Sequence, residues 1–385
     1  MHPVGYATNV HPGRNLPELR ASLLGPAAEV ARLVGDGPLP IGVWLSAESV
    51  RQLTEQPEQA DRLRDDLHAA GLRVAALNAF PYGNFAAERV KTQVYEPNWA
   101  SARRALYTLA AAEALARLVP EGTPQASMST VPLGWRPRFS AEGCGASVGL
   151  AAAQLEQVAR GLARLQDRTG LRVTLDIEPE PGCAIQTFDE LCGFMGHCLR
   201  DTGGGSAPGP HLGACVDLCH AAVMGEPAEL PFQACRAAGV GVHRVQVSAA
   251  LAGDGDAASL AALARFDEPR WLHQVVTGTH AQPRVWEDIP DFLASKPTQS
   301  WRCHFHVPVF LDAWEGLRTT AATIPPSLAA IADLPQPPFV EVETYAWSRL
   351  PGRAAGSVEE GIAREILHVR RLLANRGVSA QPSSS

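Results

Sequence analysis

A buried strand that runs out in acids and is then stopped by proline is the feature that most narrows what this chain can fold into. Leu171-Arg172-Val173-Thr174-Leu175-Asp176-Ile177 reads as that strand, and Glu178-Pro179-Glu180-Pro181 follows it. Proline cannot continue the middle of a sheet. The carboxylates therefore sit at the strand's C-terminal end, where a barrel strand presents side chains to an active site. Three later strand-like stretches end in the same way: Ala214-Cys215-Val216-Asp217 with His220 behind it, Val245-Gln246-Val247, and Val340-Glu341-Val342-Glu343. Together they offer Glu, Asp, Gln and Glu, an oxygen-rich ligand set for a divalent metal.

The rest of the chain reads as scaffold. Strand candidates at 4–9, 41–45, 72–78, 126–131, 171–178, 211–217, 239–247 and 339–344 alternate with helical spacing at 16–33, 46–70, 99–118, 146–169, 187–199 and 357–374. Alternation of this kind gives an α/β class with a parallel sheet. Eight units across 385 residues favour a single closed (β/α)8 TIM barrel over an open doubly wound sheet. No GxGxxG follows the first strand, which weakens the Rossmann alternative. The barrel is expected over 1–376, with a loop at 201–210 and a disordered tail at 377–385. The connection at 249–338, between the seventh and eighth strands, is far longer than an ordinary loop. It is expected to carry helices of its own and a lid or wall over the site. Ser357 and Glu360 form a capping-box pattern at the start of the last helix.

Composition excludes some functions. With 46% hydrophobic residues a core is easily built, and a net charge of −7 argues against tight, non-specific binding of nucleic acid. No run of about eighteen apolar residues and no charged-then-apolar leader is present, so neither a membrane span nor a secretory segment is expected. The polar start fits a cytoplasmic protein. None of the eight cysteines forms a CxxC pair, and they read as free, partly buried thiols in a reducing compartment. The oligomeric state is not written in the sequence.

Glu178 and Glu180 are two apart and share a strand face, as do Glu341 and Glu343, so the pattern does not choose within either pair. A single such Glu reads equally well as a rim salt bridge; four strand ends carrying ligand-type residues point to a metal. Asp217 with His220 three residues on suits a metal ligand and a substrate-orienting group, although alone it also fits a helix N-cap. Gln246 lies in an apolar strand and needs a partner. His304 and His306 alternate on one face of the stretch 301–310 and suit a second metal or the substrate. Arg302 can meet an anion. Asn78, Phe80 and Tyr82 lie in a loop after the third strand, and His11 lies after the first; both are substrate-contact candidates. A carboxylate, carboxamide and imidazole shell suits Mn, Mg, Co or Zn and is too poor in sulfur for a structural zinc. Such a metal chelates vicinal oxygens of a hydroxy-carbonyl compound and stabilises its enediolate. Glu178 and Glu343 would then move the proton, giving isomerisation or epimerisation.

The order Glu178, Asp217-x-x-His220, Gln246 and Glu343 resembles the xylose-isomerase-like TIM-barrel superfamily of sugar epimerases, hydroxypyruvate isomerase and endonuclease IV-type enzymes. Gln246 departs from the commoner His and matches the hydroxypyruvate-isomerase variant. More narrowly, most of the chain is similar to the EboE-type metabolite traffic family. The resemblance is carried by Thr8-Asn9-Val10-His11-Pro12-Gly13, Asn78-Ala79-Phe80-Pro81-Tyr82-Gly83, Ser129-Thr130-Val131-Pro132-Leu133, Glu178-Pro179-Glu180-Pro181, Asp217-Leu218-Cys219-His220, His304-Phe305-His306-Val307-Pro308 and Glu341-Val342-Glu343-Thr344-Tyr345. The superfamily resemblance favours Glu178 over Glu180 and Glu343 over Glu341 as ligands. It implies a sugar or cyclitol substrate, phosphorylated or not, in secondary metabolism, with other proteins of that pathway as partners. Endonuclease IV-type members carry an acid-x-His pair after strand seven, and His304-x-His306 occupies a comparable interval. A phosphoesterase with two or three metals is therefore the second reading, and a non-catalytic protein that binds and hands over a metabolite is the third.

Overall fold

The computed structural model describes residues 3–141, 144–198, 209–351 and 356–375. Most of the loop expected at 201–210 and the tail expected at 377–385 lie outside them.

Eight short runs rich in Val, Leu, Ile and Ala form a closed parallel ring. They are β1 (Val4–Ala7), β2 (Leu39–Trp44), β3 (Leu72–Asn78), β4 (Gln125–Thr130), β5 (Arg172–Ile177), β6 (Leu212–Asp217), β7 (Gly241–Val247) and, last in the chain, Phe339–Val342. The runs are almost wholly buried, as expected of strands covered on both faces. The ring closes where the first strand meets the last, Val4 opposite Val340 and Tyr6 opposite Val342.

Helix boundaries follow local chemistry. The segment expected as one helix at 16–33 is two, Leu16–Ser22 and Ala28–Val34, joined by a wider π-helical turn. Pro26 lies in that turn, and its missing N–H cannot complete an α-helical ladder. The helix expected at 46–70 breaks at Gln56 because Pro57 opens a new one at its first position. The first strand ends at Ala7, and Thr8–Val10 form a 3-10 turn. Helices Leu218–Met224 and Leu230–Ala238 were not foreseen. Ser357 and Glu360 do form the reciprocal capping box.

Between β7 and the last barrel strand the chain builds a second sheet. Its strands are β8 (Ala249–Gly253), β9 (Val275–Thr279), β10 (Gln282–Trp286), β11 (Trp301–Val307), β12 (Ala313–Trp314) and β13 (Leu317–Thr319). They run in the order β10-β9-β11-β8-β13-β12 and pair antiparallel, so Phe339–Val342 becomes β14. Helices were foreseen for this stretch; a sheet was not. It is tied to the loop after β3: the Val90 and Lys91 amides both donate to Arg270 O at 2.8 Å, and Lys91 Nζ meets Asp288 Oδ2 at 2.5 Å.

Inside the ring, Arg244 of β7 and Glu341 of β14 form a completely buried ion pair. Arg244 Nε donates to Glu341 Oε1 at 2.7 Å, and Nη1 donates to Leu77 O at 2.8 Å and Ser129 Oγ at 3.3 Å. Gly42 of β2 leaves room for the pair. A Cβ there would stand 2.0 Å from Glu341 Oε2 and 2.8 Å from Arg244 Nη2. Gly42→Ala is therefore expected to destabilise the fold by about 3 kcal/mol, the scale for overpacking combined with displacement of a buried charge pair. Urea unfolding of the variant measures it; an unchanged midpoint would show that the pair has slack.

Candidate metal centre

Each carboxylate reaches the barrel's C-terminal mouth because its strand stops on time. β5 ends at Ile177, and the Glu178 amide donates to Thr130 O at 3.1 Å before Pro179 turns the chain out. β6 ends at Asp217, which caps the next helix by accepting the His220 amide at 2.9 Å. β14 ends at Val342, and the Glu343 amide donates to Val247 O at 3.1 Å. Carboxylate oxygens of Glu178, Asp217 and Glu343 consequently lie within 4.8 Å of one another. All three residues are buried, and among the described residues Glu178 Oε2, Asp217 Oδ2 and Glu343 Oε2 each have no hydrogen-bond partner. Gln246 stands in register between Asp217 and Glu341 and accepts from Cys215 Sγ at 3.1 Å.

A second set of donors comes from β11. His304 and His306 share a face, and their Nε2 atoms are 3.0 Å apart; His220 Nε2 lies 3.1 Å from His304 Nε2. The opposite ring nitrogens are all held by oxygen. His220 Nδ1 meets Pro179 O at 3.0 Å, His304 Nδ1 meets Gln274 Oε1 at 2.7 Å, and His306 Nδ1 meets Glu343 O at 2.6 Å. A carbonyl oxygen only accepts, so each Nδ1 carries the proton and each Nε2 of a neutral ring presents a lone pair. Three lone pairs then face one another with no hydrogen to share. Holding the far nitrogen in this way is how proteins orient metal-binding imidazoles. Three orphaned carboxylate oxygens beside three confronted imidazole nitrogens fit a divalent cation.

Electrostatics agree. Burial, Asp217 and Glu180 push the Glu178 carboxyl well up against the pull of Arg244. Burial and the neighbouring acids do the same to Glu343, and burial raises Asp217. Burial lowers His220 to about 3 and His306 to about 4, and His304 well below its usual value. Every group here is driven toward its neutral form by burial and by its neighbours.

The structure separates the pairs that spacing left open. Glu178 joins Asp217 and Glu343, whereas Glu180 faces the imidazoles, accepting from Tyr95 OH at 2.7 Å and Gln274 Nε2 at 3.2 Å. Glu343 reaches the chamber and accepts from Asn9 Nδ2 at 2.7 Å and Asn78 Nδ2 at 3.3 Å, whereas Glu341 is engaged with Arg244 below. Asn78 and Phe80 line the chamber with Phe85, Tyr95, Trp271 and Tyr345. Its free space is about 60 Å³.

Three expected contacts are not brought there. The Arg302 guanidinium points away and donates to Val223 O and Gly278 O, each at 2.9 Å. Tyr82 packs on Tyr107, and its hydroxyl accepts from Arg103 at 3.4 Å. His11 lies 3.2 Å from Tyr6 OH and does not line the chamber. Asn9, Tyr95, Gln274 and Arg244 were missed. Arg244 carried a signal, as a charge within an apolar strand.

The pH dependence of the metal-free protein follows. Burial raises Glu180 to about 8 despite its hydrogen bonds. A folded pKa above the unfolded value gives stability that is complete below about pH 4.3 and is lost as pH rises through the folded value. The depressed imidazoles act oppositely, losing stability below about pH 6.5. Between those limits the two contributions oppose one another, so chelated protein is expected to lose stability below about pH 4.3 and from about pH 6.5 toward pH 9, and saturating divalent metal should flatten the alkaline limb. A calorimetric pH series with and without metal tests this; parallel curves would remove the case for a cation here.

No family model and no curated protein matches the chain. Solved structures do. A D-tagatose 3-epimerase-like protein superposes with a TM-score of 0.55 at 11% identity, over 97% of this chain and 99% of that one. A candidate sugar phosphate isomerase/epimerase from Anabaena variabilis gives 0.53 at 13% identity, over 98% and 99%. A xylose isomerase domain protein from Planctomyces limnophilus gives 0.50 at 14% identity, over 97% and 98%. The likeness is one of fold: a xylose-isomerase-like TIM barrel spanning almost the whole chain.

Proposed function

We propose that this chain is a divalent-metal-dependent isomerase or epimerase of a sugar or cyclitol. The observation that carries the reading is the convergence of three orphaned carboxylate oxygens, from Glu178, Asp217 and Glu343, at the C-terminal mouth of the ring. Those residues with Gln246 would hold a Mn, Mg, Co or Zn ion. Bound there, such an ion polarises the oxygens of a hydroxy-carbonyl substrate and eases loss of the adjacent proton.

The chain's own groups do the rest. Glu178 follows β5 and Glu343 follows β14, three positions along the ring, and in this reading one removes a proton and the other returns it. Asn9 and Asn78 fix the Glu343 carboxylate through Oε1 and leave Oε2 free to act. His220, its Nδ1 held by Pro179 O, presents Nε2 to orient the substrate. The aromatic wall of Phe80, Phe85, Trp271 and Tyr345 excludes water and offers an apolar face to a ring.

Substrate charge can be argued as well. Among the described residues lining the chamber, Lys91 is the one Lys or Arg, and it is engaged by Asp288 Oδ2 and by the Glu268 and Trp271 carbonyls. With no free cationic side chain to hold a phosphate, an unphosphorylated substrate suits the chamber better. The resemblance to metabolite-traffic proteins supports an intermediate of secondary metabolism, passed among proteins of one pathway.

A second reading rests on the imidazoles. His220, His304 and His306, with Asp217 and Glu180 in reach, offer a further cation position, as a phosphoesterase with two or three metals would need. Elemental analysis of protein purified without chelator separates the readings. About one metal per chain, lost in Asp217→Ala, supports the isomerase; two or three, with phosphate released from a diester probe, supports the hydrolase. Turnover is read by deuterium uptake from heavy water into unphosphorylated ketoses and keto-cyclitols. Glu343→Gln is expected to lower that exchange by about 10²–10⁴-fold, the usual contribution of a general acid or base. Ligand binding with no exchange by metal-loaded wild type would leave a protein that binds and hands over a metabolite.

A further inference from the structure

The opposite end of the barrel holds a cavity that this chemistry does not use. It measures about 880 Å³ and lies against the starts of β3, β4, β5 and β14 and the early part of β7. From its lining we propose a binding site for a small phosphate ester, separate from the metal centre.

Charge is the first argument. The lining includes Arg73, Arg172 and His243 and, among the described residues, no Asp or Glu. Arg73 is half-buried and has no hydrogen-bond or ion-pair partner among the described residues. Arg172 donates to neutral amide oxygens, Gln125 Oε1 and Gln336 Oε1, the latter at 3.1 Å, and among the described residues no carboxylate pairs with it. In a chain of net charge −7, two arginines without acid partners facing one cavity are a constructed feature. Guanidinium is the side chain whose planar fork of donors matches phosphate oxygens.

The histidine is the second argument, because the backbone departs from regularity to place it. The β6–β7 register shifts between Ala214 and Cys215, leaving His243 as the extra residue of a bulge. Its neighbours are glycines: a Cβ at Gly213 would stand 2.4 Å from His243 Nδ1, and one at Gly241 2.5 Å from Nε2. Asp176, buried behind the cavity, meets His243 Nδ1 at 2.7 Å through Oδ1. Its Oδ2 accepts from Ser127 Oγ at 2.5 Å and Thr174 Oγ1 at 3.0 Å. Bulges commonly re-aim a side chain where function needs it. Here the bulge turns an imidazole, oriented by a carboxylate, toward the cavity that the arginines line.

Size and floor indicate an ester over bare phosphate. The volume exceeds what one oxyanion fills, Val74, Ala126 and Phe339 give an apolar floor, and the Gln125 and Gln166 amides can meet hydroxyls.

The test is calorimetric titration of the full chain with inorganic phosphate and with ribose 5-phosphate at fixed ionic strength. Saturable binding is expected, tighter for the ester, and at least about tenfold weaker in Arg73→Gln, the scale of losing one charge-assisted contact. Because Arg73 has no hydrogen-bond or ion-pair partner among the described residues, that variant's ligand-free melting temperature should be unchanged. Asp217→Ala should bind both probes like wild type, which keeps this site distinguishable from the metal centre. No saturable binding, equal binding by Arg73→Gln, or loss of binding in Asp217→Ala would each overturn the proposal. Phosphate binding with no gain for the ester would overturn the ester assignment.

Discussion

The structure depends on how negative charge is balanced in a space that excludes water. Glu178, Asp217 and Glu343 point oxygens at one another, and the nearest buried cation, Arg244, is turned toward Glu341. Like charges at such separations repel strongly where water is excluded. The imidazoles meet the complementary problem, three lone pairs aimed together with no proton between them. The divalent cation proposed above would relieve both. The aromatic wall, the Asn9 and Asn78 amides and the buried ion pair beneath keep the arrangement dry and oriented, and so keep that need acute.

Much of this was legible in the sequence. Strands alternating with helices, and acids placed where apolar runs stop, led to the barrel and to the end of it that carries Glu178, Asp217, Gln246 and Glu343. A period of two gives the face a residue shares and says nothing about depth. Glu341 and Glu343 share a face, yet one step of about 6.6 Å along the strand separates a partner of Arg244 from a chamber residue. Arg302 shows the same limit: its parity matches His304 and His306, but it lies near the far end of β11 and finds carbonyl partners there. Tyr95 and Gln274 reach the site from distant parts of the chain with nothing local to record it, and Asn9 stands in a quoted stretch, Thr8 to Gly13, in which only His11 reads as a contact.

The donors come from two structural sources. The carboxylates and Gln246 belong to the ring; His304 and His306 belong to a strand of the second sheet, and His220 stands between as the third residue of a helix begun by Asp217. Gln274, the residue just before β9, holds both His304 and Glu180. The second sheet is therefore part of the site's wall as well as its roof. The barrel alone would keep the carboxylates, Gln246 and His220, and would lose His304 and His306.

The closure of the ring has a consequence during synthesis. β1 pairs with β14, Val4 opposite Val340, so the barrel stays an open sheet until the last strand has emerged from the ribosome. Glu343 follows that strand directly. Until then Glu178 and Asp217 lack their third companion. Under the proposed metal reading the three acids meet only in the finished ring, so an ion would be taken up at the end of synthesis and not during it.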